Sequence, residues 1–168
     1  MSAVDDYLKN NEEYAQTHVG GRPTAPAQHV AVVACMDSRM RIFPMLGLAG
    51  GEAHVIRNAG GVVTDDVVRS LAISQRLLGT TEIILIHHTD CGMLTFTDDA
   101  FKASVEADTG IRPAWAAEAF SEPEADVRQS IARIVASPFI PKTSNVRGFI
   151  YDVRTGRLDE VRSSAAVR

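Results

Sequence analysis

The chain has two cysteines, Cys35 and Cys91, and a histidine, His88, stands three positions before the second. Thiolate and imidazole are the preferred donors of zinc, and paired cysteines in a chain without an export signal point to a metal or catalytic site before a structural disulfide. Successive residues of a strand face opposite ways, so His87 and His88 cannot share a face, and the H-x-x-C spacing selects His88. Three protein donors leave a fourth tetrahedral position for water or substrate. Zinc there brings the pKa of water from ~15.7 towards ~7, which makes hydroxide available near neutral pH. Asp37 and Arg39 follow Cys35 at two-residue steps, so an extended segment would turn all three to one side. An Asp gripped by a bidentate Arg could accept a hydrogen bond from that hydroxide and aim its lone pair at an electrophile.

Other polar residues carry weaker signals. His87 reads as a satisfied core histidine, and His18, His29 and His54 have no ligand-like neighbours. Asp90 reads as a loop residue capping a turn, and Asp98-Asp99 as a solvated pair. Gly60 and Gly61 belong to a turn, and they could also let backbone N–H groups approach a substrate oxygen.

The elements around these residues read as an α/β fold, a mainly parallel central sheet flanked by helices with an N-terminal helical arm and a C-terminal hairpin. Ile83 to Ile86 is an unbroken β-branched and apolar run, as expected of a strand covered on both faces, and Val30 to Ala34 is another. Each ends in one of the motifs, where open α/β sheets place their sites. If the two strands are neighbours, Cys35, His88 and Cys91 converge. Residues 3–17 form a weakly amphipathic helix, an arm suited to packing on a partner subunit. Met40 to Leu48 reads as a short irregular helix closed by Gly50-Gly51, and Ala53 to Arg57 as a third strand. Thr64 caps a helix running to Leu78, with Asp65 and Asp66 complementing its dipole and Gly79 ending it. Residues 95–112 read as a helical excursion with little period. Ser121 and Glu124 suggest a capping box for a helix that ends before Pro138, and Val146 to Val161 reads as a hairpin around Thr155-Gly156.

At 168 residues the expectation is a single domain over 1–168, large enough for a core without disulfides. A net charge of −4 offers no electrostatic footprint for nucleic acid. The polar, acidic N-terminus argues against a signal peptide, and no apolar run approaches the ~20 residues of a membrane span. A cytoplasmic protein bound neither to membrane nor to nucleic acid is the expectation.

The chain resembles the β-class carbonic anhydrases, short actinobacterial members above all. C-x-D-x-R at Cys35, Asp37 and Arg39, R-N-A-G at Arg57 to Gly60 and H-x-x-C at His88 to Cys91 match that family's motifs in order. The resemblance implies a zinc lyase that interconverts carbon dioxide and bicarbonate, with zinc on Cys35, His88 and Cys91 and an Asp37–Arg39 dyad. It also implies a homodimer or homotetramer with sites at the subunit interface, and an Asp37 that becomes a fourth zinc ligand when Arg39 releases it. One departure stands out: Pro26 lies nine residues before Cys35, where plant-type members carry a substrate-binding Gln. Some short members hydrolyse carbonyl sulfide or carbon disulfide, which makes those linear molecules the alternative substrates. A rival from another class, a redox-sensing Cys35/Cys91 pair in a non-enzymatic binding protein, leaves Asp37, Arg39 and His88 without a task.

Overall fold

A computed structural model of the chain describes residues 2–162. Its elements in order are α1 (Ala3–Thr17), β1 (Val30–Cys35), α2 (Ile42–Leu46), β2 (Ala53–Asn58), α3 (Asp65–Leu78), β3 (Glu82–His88), α4 (Asp98–Thr109), α5 (Pro123–Ala136), β4 (Val146–Tyr151) and β5 (Leu158–Val161). The five strands form one sheet in the order β2-β1-β3-β4-β5. The first four are parallel and β5 returns antiparallel, as the terminal hairpin requires.

The register explains the core. Ala31 pairs with Ile83 and Val33 with Leu85, and these four share one face with Val67 and Leu71 of α3 and Ile134 of α5, all buried. The alternate residues Val32, Ala34 and Ile86 face the other way, against Met40, Ile42 and Met93. Burial on both faces is what the continuous apolar runs of β1 and β3 encode. Packing is close where α5 crosses β4: a Cβ on Gly148 would land on Val127.

Helix ends follow local chemistry, with two departures from expectation. Thr64 caps α3 by accepting the Val67 N–H at 3.4 Å, and Gly79 ends it in the left-handed conformation. The helix after Cys35 is closed by Gly47, not by Gly50-Gly51; Gly47 has φ 67° and takes the orphaned carbonyls of Phe43 and Pro44. The cap position of α5 is Glu122, not Ser121, and no side chain caps it; Pro123 opens the helix at a position that needs no N–H donor. The weakly periodic 95–112 stretch contains a regular helix, α4, capped by Thr97 and stopped by Gly110.

The N-terminal arm has no buried residue in its whole length. Among the described residues, no helix is long and apolar enough to cross a membrane.

Candidate metal centre

Parallel pairing of β1 and β3 places Ala34 opposite Ile86, so the chain leaves both strands at the same end of the sheet. Cys35 is the last residue of β1, His88 the last of β3, and Cys91 follows one tight turn later. All three are buried, and their donor atoms lie within 4.8 Å of one another. This is the convergence expected from adjacent strands. His87 faces away from them, towards α5, where its Nε2 meets Asp126 Oδ2 at 2.6 Å and its ring stacks on Phe120. It is only half satisfied, because Nδ1 is buried without a partner.

The donor set fits a soft divalent metal on two independent grounds. His88 turns Nδ1 to the Thr89 carbonyl at 2.8 Å, while its buried Nε2 has no hydrogen-bond partner. A proton on Nδ1 leaves the Nε2 lone pair facing the two sulfurs, the tautomer a metal-binding histidine needs. The thiols form the second ground. The Cys91 thiol first, and then His88 and the nearby Asp37 and Gly60 backbone, favour Cys35 as the thiolate against the cost of burial, so its pKa is lowered. The same contact with Cys35, together with burial, pushes Cys91 up, so the pair shares one proton that a divalent cation displaces. Burial pulls the His88 imidazole down, but Cys35 and the Thr89 carbonyl outweigh it and the net shift is upward.

The surrounding backbone is fitted to these donors. Gly61 has φ 73°, and a Cβ there would stand 2.7 Å from the Cys35 nitrogen and 3.0 Å from the Ile86 oxygen. The turn Ala59–Gly61 therefore rests directly on the ends of β1 and β3, which only glycine permits. The turn expected of this glycine pair is present, with Gly60 also at positive φ, 82°. Arg57 closes the other side, donating from Nε to the Cys35 carbonyl at 2.9 Å and from Nη2 to the Asp37 carbonyl at 2.6 Å.

Asp37 and Arg39 form the expected fork. Arg39 Nε donates to Asp37 Oδ1 at 3.0 Å and Nη2 to Oδ2 at 2.8 Å, with the Arg39 backbone N–H also on Oδ1 at 2.8 Å. The guanidinium holds the Asp37 carboxyl well below the usual carboxylate range. Asp37 Oδ2 lies 3.7 Å from His88 Nε2, so the carboxylate borders the donor set.

Two acids depart from their expected roles. Asp90 does not merely cap a turn: its carboxylate accepts from Arg39 Nη1 at 2.8 Å and its carbonyl from Nη2 at 2.9 Å. Asp98 is not half of a solvated pair, because it accepts the backbone N–H groups of Ala117, Glu118 and Ala119 at 2.8, 3.2 and 2.8 Å. Only Asp99 faces water, against Arg112. Both partnerships join distant parts of the chain, so no local spacing announces them. The isolated histidines read as expected, with His29 and His54 bonded to Gly79 and Ser74.

A mainly parallel α/β sheet carrying a buried Cys-His-Cys set at its C-terminal edge defines a metalloenzyme. The carbonic anhydrase family model matches residues 30–122, which hold all three donors. β-Carbonic anhydrase 1 of Mycobacterium tuberculosis is 60% identical over 161 residues, 96% of this chain and 99% of that protein. The crystal structure of a carbonic anhydrase from Streptococcus mutans superposes with a TM-score of 0.90 at 46% identity, covering 96% of this chain and 99% of that one. A carbon disulfide hydrolase of an Acidianus strain is more distant, 34% identical over 92% of this chain and 87% of its own length. The chain belongs to the β-class carbonic anhydrases.

Proposed function

We propose that this chain interconverts carbon dioxide and bicarbonate, with Cys35, His88 and Cys91 holding zinc and Asp37 and Arg39 ordering the reacting groups. The observation that carries the reading is His88: Nδ1 is committed to the Thr89 carbonyl, and the buried Nε2 lies beside the two sulfurs without a hydrogen-bond partner. Two sulfurs and one nitrogen suit zinc above harder cations, which prefer oxygen. Bound there, zinc supplies a Lewis acid that makes hydroxide available from water near neutral pH.

The chain's own residues supply orientation. Asp37, kept ionised by Arg39, is an acceptor at the border of the donor set and can fix the direction of a hydroxyl proton there. Arg39 in turn holds both carboxylate oxygens, so the acceptor does not rotate. Should Arg39 let go, Asp37 is near enough to become a fourth ligand, a closed form of the same site. The expected product leaves as bicarbonate and the proton passes to solvent or buffer.

Stopped-flow hydration with metal analysis tests the reading. Wild type should carry about one zinc per chain, whereas His88→Ala and Cys35→Ala should lose both metal and activity. Undiminished hydration in either variant would overturn it. Full zinc occupancy with no disulfide under air would also exclude the redox thiol pair.

Carbonyl sulfide and carbon disulfide remain the alternative substrates. Pro26, which offers no side-chain donor, motivates that reading, and 34% identity to a carbon disulfide hydrolase against 60% to a carbonic anhydrase disfavours it. A comparison of kcat/KM for the three molecules decides. We also infer a cytoplasmic location and a homodimer or homotetramer; the oligomer is supported by the arm α1, whose Val4, Tyr7, Leu8 and Tyr14 are each at least 60% exposed.

A further inference from the structure

Asp90 occupies the turn between His88 and Cys91 with φ 56°, a left-handed backbone that few residues other than glycine adopt and that Asp tolerates better than most. In that conformation it presents two oxygens to one guanidinium, Oδ2 to Arg39 Nη1 and its carbonyl to Nη2. Arg39 already spends Nε and the other Nη2 hydrogen on Asp37. The two acids therefore share the guanidinium without competing for any N–H, and four of its five donors are directed.

This arrangement matters because Asp37 Oδ2 lies only 3.7 Å from His88 Nε2, and a carboxylate oxygen is itself a zinc ligand. What restrains Asp37 is Arg39, whose side chain is 44% exposed. A single exposed ion pair restrains little, since a long side chain has many rotamers and water competes for it. A guanidinium pinned on its far side by Asp90 has lost that freedom before it meets Asp37. Arg39 also joins the segment after β1 to the loop after β3, and the three donors sit where those two strands end.

We propose that Asp90 is a positioning residue, which locks Arg39 in the orientation that keeps Asp37 away from the metal. The proposal rests on the zinc reading given above and adds to it a third member of the dyad.

Cobalt(II) in place of zinc provides the test, with thiocyanate titrated through the d–d bands, because an anion binds only where Asp37 has not taken the fourth position. Asp90→Gly keeps the left-handed backbone and should weaken thiocyanate binding roughly 2- to 5-fold, the range expected when an exposed charged contact is lost. Asp90→Asn also tolerates this backbone and keeps a neutral side-chain oxygen to accept from Arg39 Nη1, so it should weaken binding less than the glycine variant, and it carries the test alone should that variant fold poorly. In an Asp37→Asn background, where the competing carboxylate is gone, replacing Asp90 should change nothing. An equal loss in both backgrounds, or no loss with wild-type Asp37, overturns the proposal. If wild type itself binds no metal and hydrates no carbon dioxide, the zinc reading falls and takes the proposal with it; an active wild type with an indifferent Asp90 sinks the proposal alone.

Discussion

At the scale of single residues, the site depends on side chains for which the geometry allows few substitutes. Arg39 meets two acids on two sides, a task for a planar fork. Arg39→Ala should lower kcat/KM by roughly 10- to 100-fold, the usual effect of losing a group that orients a metal site. Arg39→Lys should recover little, because one ammonium cannot face Asp37 and Asp90 together. Steady-state hydration kinetics check both, and an active Arg39→Ala enzyme with an accessible metal would contradict the role given to the dyad. Gly61 is constrained by space: a Cβ there would meet the backbone of both donor strands, at a positive φ. Gly61→Ala should cost about 3 kcal/mol, more than strain alone, because the neighbouring atoms are backbone and cannot turn aside. A lower urea midpoint at unchanged slope would show it.

At the scale of elements, Asp98 fastens the start of α4 to the segment 117–119 with three backbone hydrogen bonds. Those N–H groups, Ala119 first, hold its carboxyl below the ordinary value. A carboxylate with a depressed folded pKa stabilises the protein above its unfolded pKa of ~4 and loses that contribution as pH falls through the folded value. Asp98→Asn should therefore lower stability by about 1–2 kcal/mol at neutral pH. The gap in Tm between variant and wild type should close as pH drops below ~4; a gap constant with pH would refute the assignment. Elements built from neighbours in sequence were legible beforehand. Thr64, the acidic first turn and Gly79 bound α3 within a residue, and the apolar runs marked β1 and β3 as central strands. The three donors were legible for the same reason, because each sits at a strand end that its own neighbours define. Asp90 and Asp98 were not, since their partners lie 51 and about 20 positions away and only the fold brings them together. In the sequence the pair Gly50-Gly51 is a louder stop signal than Gly47, although α2 needs only one left-handed residue to end.

At the scale of the whole molecule, α1 stands out as fifteen helical residues that bury nothing against the rest of the described chain. A helix with so little of its own packing needs a partner surface to be stable in water. Tyr7→Asp with Leu8→Asp should therefore reduce the proposed oligomer without unfolding the sheet, as light scattering and far-UV circular dichroism would report. An unchanged mass would remove α1 from the interface.

The two strands that carry Cys35 and His88 are side by side in the sheet but enclose more than fifty residues of chain, including β2 and α3. A divalent ion on those side chains would act as a reversible cross-link, closing a long loop as a disulfide closes one in a secreted protein. Removing it with a chelator should then do more than silence the enzyme. The melting temperature should fall with chelator and climb again as zinc is restored, so that the supply of metal would govern how long each molecule survives as well as how fast it works.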